Sequence, residues 1–406
     1  SRSQPYHPRR CQSDLASMPR IHTLPALGAV APLLLASPAA ALAPRWASGG
    51  PPVDLWAEGG GRAAERGEDT ESTMFTFWTP PWSRGSHPHG IWVIAYETNI
   101  SDAPLGSFLY EQLSGQMRGL VQPEILGEGT PFEGFSVKHQ LAVARMRSIH
   151  PDDLVVLTDY ADVILNPGAN RTDTMEEFVF AYEKLMKGQH ADAVVISAEA
   201  QCCVGALSYV KPGQLVARNG SRMGRACNSG AVNCRGMRKG TLPWTTFQMQ
   251  LAVERGAGND YSFLNAGLIA GRARSVIKLL EGLQLEAQED DQAVMTDFYY
   301  RFPELFVMDY NQTLFGNARW PLKDGCVFDY DEVNQRFMQR ETGSRPLFLH
   351  TSGKYYTCLR SLASRLGWTP PPPTPPPPPP EQGGAGPRGS LRGLVAAGLA
   401  ALLVPA

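Results

Sequence analysis

Residues 154–162 read Leu154-Val155-Val156-Leu157-Thr158-Asp159-Tyr160-Ala161-Asp162. Four apolar residues in a row, without alternation, suit a strand buried on both faces of a sheet. The run stops at two carboxylates three positions apart, where an open α/β sheet meets its ligands. Hard divalent cations take carboxylate oxygens and keep positions free for substrate phosphates, which a nucleotide diphosphate would fill. The plainer alternative is that Asp159 caps a turn and Asp162 is solvated.

On either side the same grammar repeats. Residues 91–95 (IWVIA) and 193–197 (AVVIS) are further continuous apolar runs. Helical spacing marks 108–120, 138–146 and 175–186 between them. Later come 263–270, helices at 274–283 and 292–300, a strand at 346–349 and a closing helix at 355–366. Short buried runs alternating with helices predict an α/β domain with a mainly parallel sheet over 90–368. Residues 201–259, rich in Gly, Cys and Arg, read as an irregular, disulfide-stapled insertion beside the strand ends. No internal repeat is present.

The 406 residues carry 37 Lys+Arg against 39 Asp+Glu, and 43% are hydrophobic. That is enough for a substantial core, while a net charge of −2 leaves no basic surplus for nucleic acid. No apolar run reaches the roughly 18 to 20 residues needed to cross a bilayer.

The two ends differ from the middle. Residues 1–43 include Met18, Arg20, an apolar stretch over 24–35, and small-x-small triplets at 39–41 and 41–43. This is the pattern of a secretory signal peptide, with a transit peptide as the competing reading. Residues 44–89 read as a linker. Four Asn-x-Ser/Thr triplets, at Asn99, Asn170, Asn219 and Asn311, agree with secretion. Without the leader's Cys11 the cysteines are Cys202, Cys203, Cys227, Cys234, Cys326 and Cys358, an even set suited to an oxidising lumen. Sequence proximity favours one or two bridges within 202–234 and one between Cys326 and Cys358. A zinc site is the alternative, although no CxxC pair occurs. Residues 369–382 form a polyproline stalk. Residues 383–406 end in an apolar tail, readable as a lipid-anchor signal that would hold the protein at a membrane, or as plain low complexity.

Three more motifs could carry chemistry. Phe263-Leu264-Asn265-Ala266-Gly267 pairs a donor-and-acceptor amide with a glycine that admits a close ligand; a strand kink explains it equally well. Glu289-Asp290-Asp291-Gln292 stands at a helix start, where carboxylates are often only caps. His350-Thr351-Ser352-Gly353-Lys354 follows a strand at a spacing suited to a metal-diphosphate, imidazole to metal and ammonium to phosphate.

In order, Asp-x-x-Asp, Ser197 to Glu199, Leu-Asn-x-Gly, Asp-Asp-Gln and His-x-x-Gly resemble the glycosyltransferase domain of the procollagen lysyl hydroxylases, without the hydroxylase half. The series is also similar, more distantly, to glycogenin-type retaining transferases. The resemblance implies an A-type nucleotide-diphospho-sugar transferase fold, Rossmann-like, using manganese and a UDP-sugar donor. It implies Asp162 and His350 as metal ligands, with Asp159 at the metal or the ribose. Thr98, Lys138, Gly267, Gly353 and Lys354 then fall to the donor. Asp290, Asp291 and Asn265 fall to the reacting centre. Two positions depart from the family pattern: Leu141 stands where an aromatic is expected, and the last motif reads His-Thr-Ser-Gly in place of His-Gly-Asn-Gly.

The expectation is a secretory or extracellular enzyme moving a hexose from a UDP-sugar to a hydroxylated protein or glycan, with retention if the glycogenin likeness holds. The rivals are a non-catalytic binding module of the same fold and a glycosidase built on the paired carboxylates. The glycosidase reading leaves His350, Lys354 and Asn265 without roles.

Overall fold

A computed structural model of the chain describes residues 90–100, 103–227, 234, 238–319, 326–351 and 356–370. The expected leader, linker, stalk and tail lie outside these residues, apart from the first two positions of the stalk, as do Gly353 and Lys354. The α/β fold has a mixed, mostly parallel central sheet of six strands: β1 (Ile91–Tyr96), β2 (Gln122–Leu126), β3 (Leu154–Asp159), β5 (Val194–Glu199), β6 (Phe263–Arg272) and β7 (Phe306–Asp309). Their spatial order is β2-β1-β3-β6-β5-β7, and only β6 runs antiparallel to its neighbours.

The two-residue period of a strand explains the continuous apolar runs. Val155 and Leu157 point into one hydrophobic core, beneath helices α2 (Phe135–Met146), α5 (Ala273–Leu283) and α6 (Asp291–Arg301). Leu154 and Val156 point into a second core, against α3 (Arg171–Met186) and Leu109 of α1 (Pro104–Glu111). Both faces are covered, so Leu154 to Leu157 are all apolar and polar residues enter only in the last two positions of β3.

A smaller sheet completes the frame. Strands β4 (Val163–Leu165), β8 (Phe315–Asn317) and β11 (Phe348–His350) lie in the order β4-β11-β8. The far edge of β4 is closed by a side chain: buried Gln112 donates to the Leu165 carbonyl at 3.0 Å and accepts from the Leu165 N–H at 2.9 Å. That amide replaces a strand partner where an open edge would otherwise be buried. A third apolar cluster, including Leu105, Ile164, Leu349 and Leu362, packs α7 (Tyr356–Arg365) against this sheet. The remaining strands, β9 (Phe328–Asp331) and β10 (Arg336–Gln339), form an antiparallel hairpin.

Two expectations need correction. Residues 201–259 are not irregular throughout, because α4 (Leu242–Glu254) runs through them. Buried Trp244 anchors α4 by donating to the carbonyls of Leu207 at 3.0 Å and Val210 at 2.9 Å. The helix expected over 108–120 instead starts at Pro104, whose fixed φ suits a first turn, and its α-helical part ends at Glu111. A π-helical turn, Gln112–Gln116, then widens the chain as Gln112 turns to β4. Cysteines pair as Cys202–Cys203, Cys227–Cys234 and Cys326–Cys358. Asn99, Asn170, Asn219 and Asn311 are all exposed. No helix among the described residues is long and apolar enough to cross a membrane.

Between the two sheets lies the turn Tyr160-Ala161-Asp162. Tyr160 is fully buried, and its ring lies against Gly106 of α1: a Cβ built there would sit 2.1 Å from ring carbons. Gly106→Ala should therefore lose about 1–3 kcal/mol of stability to overpacking, despite alanine's better helix propensity. Thermal unfolding of the variant checks this. An unchanged midpoint would show that the ring yields freely.

Candidate functional site

The site forms where strands of both sheets end side by side. Asp159 closes β3, level with Tyr96 on β1. Asp162 immediately precedes β4, whose first residue, Val163, pairs with His350 at the end of β11. The Thr351 N–H donates to the Asp162 carbonyl at 3.0 Å, locking that junction. A ligand atom from each of Asp159, Asp162 and His350 lies within 4.8 Å of the other two. His350 Nε2 stands 3.5 Å from Asp162 Oδ2.

Gly267 makes room for this cluster. On β6 the pairing with β5 jumps from Ile269 opposite Ile196 to Asn265 opposite Ser197, so residues 266–268 bulge out of that ladder. A Cβ on Gly267 would lie 2.9 Å from Asp159 Oδ2 and 2.7 Å from His350 Cε1. Any larger residue would push the carboxylate and imidazole apart.

Asn265 holds the bulge. Its Oδ1 accepts from the Gly267 N–H at 2.9 Å and the Ser197 hydroxyl at 3.1 Å, and its Nδ2 donates to Glu199 Oε2 at 3.3 Å. Gln292 Nε2 donates to the other Glu199 oxygen at 2.8 Å, and Gln292 Oε1 accepts from the Ala266 N–H at 3.2 Å. The Ser-Ala-Glu, Leu-Asn-x-Gly and Asp-Asp-Gln motifs are thus one hydrogen-bonded network. Within it, the buried amide of Asn265 is committed to protein partners.

Lys138, buried on α2, connects the strand ends to the start of α6. Its Nζ donates to Asp159 Oδ1 at 2.5 Å and lies 3.9 Å from Asp291 Oδ2. Burial works against the ammonium, but the carboxylates of Asp159 and Asp291 outweigh it and raise the Lys138 pKa. The Asp159 pKa is also raised, because burial and the nearby Asp162 charge outweigh the help from Lys138. Asp159 therefore divides its oxygens, Oδ1 to Lys138 and Oδ2 toward the gap over Gly267. Its side chain is 37% accessible, against 14% for Asp162 and 1% for His350, so a ligand approaches from the Asp159 side.

Asp290 and Asp291 have opposite tendencies. Asp290 caps α6, accepting from the Ala293 N–H at 2.9 Å. Burial and the neighbouring Asp291 charge push its pKa up to about 7. For Asp291, burial is outweighed by the neighbouring His139 side chain and the charge of Lys138, and its pKa is lowered. Adjacent carboxylates pushed apart in this way can hold different protonation states near neutrality. Glu289 is structural: Arg222 Nη2 donates to its Oε1 at 2.5 Å and the Ala226 N–H at 2.7 Å, tying the 201–259 segment to this loop.

Thr98 lies just past β1. Its N–H donates to Glu97 Oε1 at 2.8 Å and its carbonyl accepts from the Gly129 N–H at 3.2 Å. The structure also brings in residues that sequence reasoning passed over. His139, beside Lys138, faces Asp291 at 3.7 Å. Asn317 contacts His350, its Oδ1 lying 2.7 Å from the imidazole Nδ1. No motif marks Asn317, because its position depends on the register of two three-residue strands.

His350 Nε2 is buried and makes no hydrogen bond. An orphaned imidazole nitrogen, two carboxylate groups and a gap that a methyl group would fill form a donor set that fits a divalent cation. Burial lowers the His350 pKa, but the charges of Asp162, Asp159 and Glu199 outweigh it, so the imidazole favours a cationic partner or a proton.

No protein-family model matches this sequence, and no curated protein matches it. Among solved structures, the chain is distantly similar to a glycosyltransferase involved in glycosylation of the major capsid of PBCV-1. That match has 12% identity and a TM-score of 0.35, covering 68% of this chain and 98% of the other. The apo structure of the bifunctional glycosyltransferase WbbM matches at 14% identity and a TM-score of 0.28, over 66% of this chain and 46% of the other. The second match thus spans less than half of WbbM. These are distant structural similarities to glycosyltransferases, and they assign no family.

The raised pKa of Asp290 has a stability consequence. The folded state keeps this proton up to about pH 7, whereas an ordinary carboxyl loses it near 3.8. The folded state is therefore penalised progressively as pH rises from about 4 to 7, and fully above that. Asp290→Asn preserves the helix cap and removes the charge. At pH 8 the variant should be more stable than the parent by on the order of 2–4 kcal/mol, with the gap closing toward pH 4. Denaturant titrations at the two pH values check this. A pH-independent difference would remove Asp290 as the titrating group.

Proposed function

We propose that the protein is a metal-dependent glycosyltransferase that moves a hexose from a UDP-sugar to a hydroxyl on a protein or glycan acceptor. The observation that carries this reading is the orphaned Nε2 of His350, facing Asp162 and Asp159 across the gap over Gly267. Asp159 Oδ2, Asp162 and His350 would hold the cation, manganese by the family resemblance. Once bound, it would supply Lewis-acid charge for the leaving diphosphate.

The chain's own residues do the rest. Lys138 lies against Asp159 and Asp291 together, so that these two carboxylates can lie close to the donor without mutual repulsion opening the site. Thr98, just past the end of β1, offers a hydroxyl to the nucleotide. Gly353 and Lys354, which follow His350, supply backbone room and an ammonium for the diphosphate. Asp291, kept ionised by His139 and Lys138, can stabilise positive charge developing at the sugar. Asp290, with a pKa near neutrality, can exchange a proton with the acceptor hydroxyl. Asn265 acts as a positioning residue, because its amide shapes the bulge that carries Gly267.

The acceptor assignment rests on the resemblance to the procollagen lysyl hydroxylase transferase domain, which points to hydroxylysine-type side chains. The expected compartment is the secretory pathway or the extracellular space. The exposed asparagines of the four glycosylation triplets and the three cysteine pairs agree with it.

Hydrolysis of a panel of UDP-sugars, with and without manganese, tests the activity. Asp162→Ala and His350→Ala should each lower manganese-dependent turnover by on the order of 10²-fold or more, with circular dichroism unchanged. Both side chains serve the strand ends rather than a core. Wild-type turnover in either variant would remove that residue from the metal centre, and equal rates with and without manganese would remove the metal from the reaction.

A further inference from the structure

The parallel strands β8 and β11 put Asn317 directly opposite His350. Asn317 is buried, and both polar atoms of its side chain have a fixed partner. Its Nδ2 donates to the Ala198 carbonyl at 2.9 Å, which settles the amide orientation, since a carbonyl accepts only from the NH₂ side. Oδ1 must then be the atom 2.7 Å from His350 Nδ1. Gln312 reinforces this orientation. Its Nε2 donates to the same Ala198 carbonyl at 2.7 Å, and its Oε1 accepts from the Asn317 N–H. Ala198 lies on β5 of the large sheet, so the Asn317 amide is referenced to both sheets at once.

An amide oxygen only accepts. The hydrogen between Asn317 and His350 therefore belongs to Nδ1, and the neutral imidazole is the Nδ1–H tautomer. Its Nε2 lone pair then faces Asp162 Oδ2 at 3.5 Å, with Asp159 Oδ2 across the same gap. A lone pair turned toward carboxylate oxygens is repelled unless a cation or a proton sits between them. Histidine metal ligands are commonly oriented by a partner on the opposite ring nitrogen.

We propose that Asn317 is a positioning residue of this centre: clamped by Gln312 and the Ala198 carbonyl, it fixes the Nδ1–H tautomer of His350 and leaves Nε2 bare toward Asp159 and Asp162. The role of that bare nitrogen rests on the metal reading above, whereas the tautomer assignment does not.

The experiment compares the full chain with Asn317→Leu, which has similar volume and no acceptor, and Asn317→Asp, which keeps the acceptor. Two quantities are read on each: His350 imidazole ¹⁵N shifts in metal-free protein at a pH where the ring is neutral, and manganese affinity by electron paramagnetic resonance titration with Mn²⁺ alone. The wild type should show Nδ1 protonated. Asn317→Leu should show a mixed tautomer and a Mn²⁺ affinity on the order of 10–100-fold weaker, while Asn317→Asp stays within about threefold of wild type and keeps the tautomer. If the leucine variant does not fold, the aspartate variant and the wild-type shifts still decide, because both must show Nδ1–H. A wild-type ring protonated at Nε2, or a folded leucine variant with unchanged tautomer and affinity, overturns the proposal. A wild type that shows Nδ1–H but binds no Mn²⁺ upholds the tautomer control and instead overturns the metal reading.

Discussion

Asp159 and Asp162 are three residues apart but end and begin strands of different sheets, and the site depends on how the chain makes that step. β3 terminates at Asp159 in the large sheet, and β4 starts at Val163 in the small one. Tyr160 turns away from the carboxylates and buries its ring against Gly106, so the turn is pinned on its apolar side. With the turn fixed, the pairing of β4 with β11 sets His350 beside Asp162, and the pairing of β11 with β8 sets Asn317 beside His350. Packing thus decides the spacing of the polar groups.

Charge is the second constraint. Asp159, Asp162, Asp290 and Asp291 converge on one end of the domain, and such a cluster would be repulsive without compensation. Lys138 compensates Asp159 and Asp291 from within, together with His139 on the Asp291 side. Among the described residues no ion pair reaches Asp290, and burial together with the Asp291 charge makes it hold its proton to a higher pH. His350 Nε2 faces Asp162 Oδ2 at 3.5 Å, a geometry that suits a cation or a proton between them.

Much of this was legible in the sequence, and for definite reasons. The runs in β1, β3 and β5 are continuous because both sheet faces are covered, so burial itself wrote the pattern. Carboxylates at a strand end stand out because a core tolerates them only where hydrogen bonds satisfy them. Other parts were not legible. The Gln112 amide that closes β4, the Asn317 clamp and the orientation of β6 all depend on register between segments far apart in the chain, and a three-residue strand has no period to read. The helix α4 was hidden by the glycine, cysteine and arginine content around it. Asn265 was legible as important but not as positioning, since only the bonds to Gly267, Ser197 and Glu199 show where its amide is spent.

The single antiparallel strand explains where the 201–259 segment lies. A parallel crossover would return the chain to the opposite end of the sheet before the next strand begins. β6 instead runs against its neighbours, so its first residues, including Asn265 and Gly267, lie level with the end of β5. The segment leaving Glu199 and entering Phe263 therefore has both ends at the site. It is held there by buried carboxylates: Asp297 accepts the N–H groups of Leu215 at 2.8 Å and Val216 at 2.7 Å, and Glu289 takes Arg222 and the Ala226 N–H. These anchors come from α6 and the loop before it, on either side of Asp290 and Asp291. One antiparallel strand thus brings both ends of the segment to the site, and the same stretch of chain that carries Asp290 and Asp291 supplies its anchors.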